Sequence, residues 1–194
     1  WIRILKPRAY LSLSLALLLS FTLNGVAFQI LEGFHGSIIW AAGGGSPDVI
    51  LSQRGSRALY TSIVPRAMVE SVDMLEGVET ESFTLTPTAI DEHPLIVRGV
   101  EDLQKYKDIL VMGSIPEDIG PWILLGEKSF NRLGVELGDL LPLGGPRTRD
   151  MLLLKLVGIY RKGDPMDWEG VIPIDLGVSI SKMSGESINF AEVK

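Results

Sequence analysis

The chain has 194 residues, no cysteine, 46% hydrophobic and 22% charged residues, and a formal net charge of −6. That length suits one domain with an appendage. The lack of cysteine excludes a disulfide scaffold, a thiolate zinc site and a cysteine nucleophile. The acidic balance excludes the basic stripe that a nucleic-acid partner needs.

Residues 9–31, AYLSLSLALLLSFTLNGVAFQIL, carry no charge. As a helix they reach about 33 Å, enough for a bilayer core of about 30 Å. Arg3, Lys6 and Arg8 lie just before this run, and Glu32 is the first charge after it. The positive-inside bias makes residues 1–8 a cytoplasmic leader and puts everything beyond Glu32 outside. A cleaved secretory signal is the competing reading, but the apolar run continues past Leu19 to Ile30 and no Ala-x-Ala site follows. Either way, the remainder is delivered across the membrane. Asn24 and Gln29 are the polar positions to watch, facing either partner helices or the interface. Residues 32–47 read as a stalk ending in a joint, Gly43-Gly44-Gly45-Ser46-Pro47.

Residues 48–194 form the outer domain. Residues 48–52 are a short strand. The spacing of Met68, Val72 and Leu75 predicts a helix over 63–75 with those side chains on its buried face. Residues 78–90 alternate as a strand, with Phe83 and Leu85 on one face and Thr84 and Thr86 on the other. LIVRGV at 95–100 is another strand, 101–107 a helical turn, and 109–112 a brief apolar run. In WILLGEKSFNRLGVELGDLLPL, residues 122–143, the order is buried strand, short helix, left-handed cap at Gly134, Gly138-Asp139 turn, and strand. A long apolar strand follows at 151–160, then a polar exposed loop at 161–170, a strand at 171–174, a short helix at 176–183 and a last strand at 188–193. Strands and short helices alternate without the regular long crossovers of a doubly wound sheet. The expected class is therefore α+β: one N-terminal transmembrane helix followed by a mixed α/β extracytoplasmic domain.

The order of these pieces resembles a known family. A basic leader precedes one membrane helix ending in Glu32-Gly33-Phe34. There follow a Pro-led helix at 65–78, the LIVRGV strand, ILLGEKSFNRLGVELGD at 123–139 and LKLVGIYRKG at 154–163. The pattern is similar to permease subunits of the MacB/FtsX (LolC/LolE-like) group of ABC transporters, which carry a MacB-like periplasmic core domain. The resemblance implies a cytoplasmic ABC ATPase partner, a second permease copy as homo- or heterodimer, contact with membrane lipid, and a protein partner outside. It implies no cofactor and three more membrane helices. It also implies a mechanical role in which ATP biases two arrangements of the permease pair, with Gly43–Gly45 either a hinge or a plain connector.

The residues themselves offer little chemistry. His35 and His93 are far apart, and Asp91-Glu92-His93-Pro94 reads as a solvated turn rather than a metal site. The loop of Asp164, Asp167 and Glu169 lacks calcium-loop register, and its Trp168 either contacts a partner or covers a core edge. Neither a Gly-x-Ser-x-Gly elbow nor a histidine near Ser52 or Ser129 is present. No catalytic, cofactor-binding or metal-ligating residue is assigned. Two other readings stand beside the permease: a single-span anchored binding or adhesion module, and an anchored secreted hydrolase.

Overall fold

The computed structural model describes residues 17–27, 29, 49–118, 120–146 and 151–194. The leader, residues 9–16, 28, 30 and 31 of the expected membrane segment, the stalk and the glycine joint lie outside the described residues. Residues 17–27 are helical with exposed apolar side chains. Asn24 Nδ2 donates to the Ser20 carbonyl at 2.8 Å, so its amide is used within its own helix. Among the described residues no helix is long and apolar enough to cross a membrane.

The outer unit contains β1 (Val49–Leu51), β2 (Val64–Pro65), α1 (Arg66–Asp73), β3 (Thr80–Ile90), β4 (His93–Val100) and β5 (Leu110–Gly113). Then come β6 (Trp122–Gly126), α2 (Glu127–Leu133), β7 (Leu140–Leu143), β8 (Leu152–Tyr160), β9 (Glu169–Pro173), α3 (Ile174–Ser181), β10 (Ser187–Ile188) and β11 (Phe190–Val193). The strand order is β1-β11-β3-β4-β9-β6-β8-β5, with β7 also on β8 and β10 paired separately with β2. Two neighbouring pairs run parallel, β4 with β9 and β6 with β8. The path from β6 through α2 and β7 to β8 is therefore a helical crossover, shorter than the doubly wound kind and invisible to a count of long helices.

Strand β6 is buried along its whole length. Trp122 and Leu124 join one apolar cluster, with Phe83, Tyr160 and Phe190; Ile123 and Leu125 join the other, with Leu95, Val97 and Leu154. A strand covered on both faces reads as a continuous apolar run, and each such large side chain contributes roughly 1.5–3 kcal/mol on burial. Gly134 ends α2 at φ 65°, the left-handed conformation its position demands. Gly126 has a different reason: a Cβ there would lie 2.4 Å from the Asp167 carbonyl oxygen. The glycine punctuation of 122–143 thus ends one helix and lets one backbone pass against another.

One helix face differs from expectation, and one strand keeps its expected alternation while being covered on both sides. On α1 the buried residue is Val69, while Met68 and Leu75 are exposed at 55% and 58%. The helix touches the small cluster of Val64, Ile174, Ile188 and Ala191 through a narrow seam, not through its whole apolar stripe. On β3, Thr84 and Thr86 are as buried as Phe83 and Leu85. Helix α3 covers that face, with Ser181 Oγ 2.6 Å from Thr86 Oγ1.

Candidate functional site

Strands β1 and β11 are the first and last of the unit, and they lie side by side. They are antiparallel, with Val49 opposite Val193 and Leu51 opposite Ala191. The first and last described strands of the unit thus leave one margin of the sheet at the same end. Strand β11 is held from its other side by β3, with Phe190 opposite Phe83 and Val193 opposite Thr80. Just before β11, buried Asn189 accepts from the Leu85 N–H at 2.7 Å. Its Nδ2 donates to the Tyr60 and Ser62 carbonyls at 3.1 and 2.9 Å. One amide therefore ties the last strand both to β3 and to the segment leading out of β1.

From this margin an ionic hub reaches into the sheet. Arg98 of β4 is fully buried and forks onto Glu169 of β9, with Nε–Oε2 at 2.7 Å and Nη2–Oε1 at 3.1 Å. The guanidinium also lies 5.5 and 5.8 Å from the ring centroids of Phe83 and Phe190, which stack on each other at 5.0 Å. Burial opposes the Arg98 charge, but the Glu169 carboxylate overrides it and holds the guanidinium above its ordinary pKa. Burial pushes the Tyr106 and Tyr160 phenols up, so both stay protonated. Tyr160 donates to the Met166 carbonyl at 2.7 Å, tying β8 to the loop that delivers Glu169.

That loop is not an exposed turn. Asp164, Met166, Asp167 and Glu169 are all buried, while Arg161 and Trp168 stay exposed. Asp164 caps a 3-10 turn (Pro165–Trp168) by accepting from the Met166 N–H at 2.7 Å, and Asp167 accepts from the Lys162 N–H at 2.7 Å. Closely spaced aspartates serve here as backbone caps. This is why the polar composition misled: the carboxylates are inside because backbone donors surround them.

A further buried acid lies on β11. Glu192 is 3% exposed, and its Oε1 has no hydrogen-bond partner among the described residues. Burial raises its pKa to about 7, with Arg98 pulling down and Glu81, opposite it on β3, pushing up.

The residues singled out in the sequence do not converge. His93 is exposed in the β3–β4 hairpin beside Asp91 and Glu92, whose φ values are 45° and 69°. Ser52 is exposed, whereas Ser129 is buried without a partner for its hydroxyl. His35 and the glycine joint lie outside the described residues. Among the described residues no cluster of acids and histidines is arranged to hold a metal. Sequence reading missed Arg98, although a lone charge inside LIVRGV is the signal of a buried pair. It also missed Glu192, for which no comparable signal exists.

This architecture, a mixed sheet with adjacent terminal strands, is the fold of the MacB-like extracytoplasmic domain of ABC transporter permeases. The extracellular domain of the noncanonic ABC-type transporter YknZ from Gram-positive bacteria matches with a TM-score of 0.54 and 11% identity, over 75% of this chain and 81% of that one. The periplasmic region of MacB from Actinobacillus actinomycetemcomitans matches with a TM-score of 0.50 and 12% identity, over 75% of this chain and 72% of that one. No protein-family model matches the sequence, and no curated protein is similar enough to count as a match.

Proposed function

We propose that the chain is the first membrane helix and outer domain of an ABC transporter permease, coupling cytoplasmic ATP hydrolysis to export or to conformational signalling outside the membrane. The observation that carries this reading is the antiparallel pairing of β1 with β11. Segments arriving from and returning to a membrane would grip one sheet margin, and a shift between them would load two adjacent strands. The Arg98 hub would carry that load inward, because its guanidinium touches Phe190 on β11 and binds Glu169 on β9. The protein would supply a two-state coupling element and no bond-making chemistry. The shared fold supports this reading. Partners would be a cytoplasmic ATPase, a second permease copy, and membrane lipid around the 9–31 helix.

Reading the gene past the codon for Lys194 tests the proposal. Three apolar segments of about twenty residues, with an ATPase gene alongside, are expected. Co-expressed and purified together, the two products should show an ATPase rate that changes when Arg98 is replaced. A stop codon at that point, or an ATPase that neither co-purifies nor responds, would overturn the proposal. It would leave the single-span binding module, which no observation presently favours.

A further inference from the structure

Strand β4 runs past the end of its neighbour. Pairing with β9 begins only at Ile96 opposite Glu169, so His93–Leu95 have a strand partner on the β3 side alone. Beside this open edge lies a groove lined by Pro87, Pro94, Ile96, Arg132 and Trp168. Trp168 is 45% exposed and Ile96 41%. The indole is flanked by two cations from α2, with Lys128 Nζ 5.8 Å and Arg132 Cζ 5.2 Å from its ring centroid. Four residues apart, they share one helix face.

Neither cation forms an ion pair among the described residues, although Glu127 lies within the field of Lys128. Arg132 Nη2 donates to the Pro94 carbonyl, but its Nε is shielded from solvent without a hydrogen-bond partner. No carboxylate among the described residues pairs with Lys128 or Arg132: the acid at the start of α2, Glu127, is taken by Arg161. A chain of net charge −6 thus keeps two cations, without an ion-pair partner among the described residues, against an exposed indole and an exposed isoleucine. Aromatic and arginine anchors with an apolar neighbour are the usual centre of a binding surface. Pro94 has no N–H and Arg132 holds its carbonyl, so recognition at this edge falls to side chains.

We propose that this groove docks an extended, acidic peptide segment of a protein partner. One aliphatic side chain would rest on Trp168 and Ile96, with carboxylates on either side of it meeting Lys128 and Arg132. The inference rests on this surface alone, so it stands or falls separately from the permease reading.

A display selection of random dodecapeptides on the detergent-solubilised full chain tests it, followed by binding measurements with the synthetic consensus peptide. The expected consensus is an aliphatic residue flanked by aspartate or glutamate. Trp168→Ala or Lys128→Gln should weaken its binding by about tenfold or more, and added salt should weaken it further. Lys128 is exposed, so Lys128→Gln leaves folding intact; an unchanged melting temperature verifies this even if Arg132→Gln disturbs the β4 edge. A neutral or basic consensus, or affinities indifferent to both substitutions, would overturn the proposal. So would the absence of any enriched sequence, self-association through the same residues, or binding to anionic lipid vesicles in place of peptide.

Discussion

Glu169 and Glu192 are both buried carboxylates on the face that carries Arg98, yet they differ in kind. Glu169 has a guanidinium forked onto both of its oxygens. Glu192 sits nearer the sheet margin with one oxygen unpartnered and a pKa of about 7. Burial alone does not decide whether an acid is charged; a fixed donor does. The interior of the sheet is locked by an ion pair held through two hydrogen bonds. Its margin, where the terminal strands meet, carries a group that changes charge near neutral pH.

The largest effect is expected from breaking the lock. Arg98→Met leaves Glu169 buried without its partner and should cost about 3–5 kcal/mol. Replacing both members, Arg98→Met with Glu169→Leu, should recover most of that, since an apolar pair of similar volume avoids the desolvation penalty. Chemical denaturation of the outer domain reads both. If the double variant is as unstable as the single one, the hub's role is positional and not electrostatic.

A smaller loss should follow when the loop carrying Glu169 is pushed from the opposite side. Gly126→Ala forces a Cβ into the Asp167 backbone and should cost about 1–3 kcal/mol by overpacking. The indole emission attributable to Trp168 should shift with it, because Trp168 lies on the same turn.

At the margin the comparison sharpens into a pH profile. The Glu192 pKa is raised in the folded state, so between the ordinary glutamate value and about 7 the folded protein holds a proton that the unfolded chain releases. This acid therefore disfavours folding increasingly as pH climbs through that window, by about 1.4 kcal/mol for each pH unit. Glu192→Gln should remove that share of the pH dependence, seen as equal denaturation midpoints at the two ends of the window once other groups are subtracted. A variant as pH-dependent as the parent would show that Glu192 is ionised throughout.

The smallest effect belongs to the surface. Glu127 and Arg161 form a fork on an exposed face, and the Arg161 hydrogen bond lowers the Glu127 pKa. Solvent and salt screen such pairs. Glu127→Gln should leave the melting temperature unchanged within error.

Most elements were legible locally. The β6–α2–β7 unit follows from an apolar run, a short amphipathic helix and Gly134, and β4 follows from LIVRGV. Leu95, Val97 and Leu154, on the strands read at 95–100 and 151–160, are all buried. What escaped was long-range. Arg98 and Glu169 are 71 positions apart, and periodicity says nothing about which strands become neighbours. The parallel β4–β9 contact was hidden for the same reason. The α1 face failed because three apolar residues at helical spacing do not show how broad a seam the neighbours offer. The loop at 161–170 failed because composition reports polarity, whereas burial depends on where backbone donors end up.

The pairing of Val49 with Val193 also sets a timetable. The two positions are separated by 193 − 49 = 144 residues, so a ribosome adding about 5–20 residues per second needs roughly ten to thirty seconds between making one and making the other. Over that interval β1 has no strand to lie against, and β3 lacks its neighbour on the β11 side. The middle of the sheet is synthesised sooner, and β6, α2 and β8 close over short loops. The newborn domain therefore assembles from its centre outward, and its first-made strand is among the last to be seated. A chaperone guarding this protein during synthesis would find its work at the amino-terminal edge.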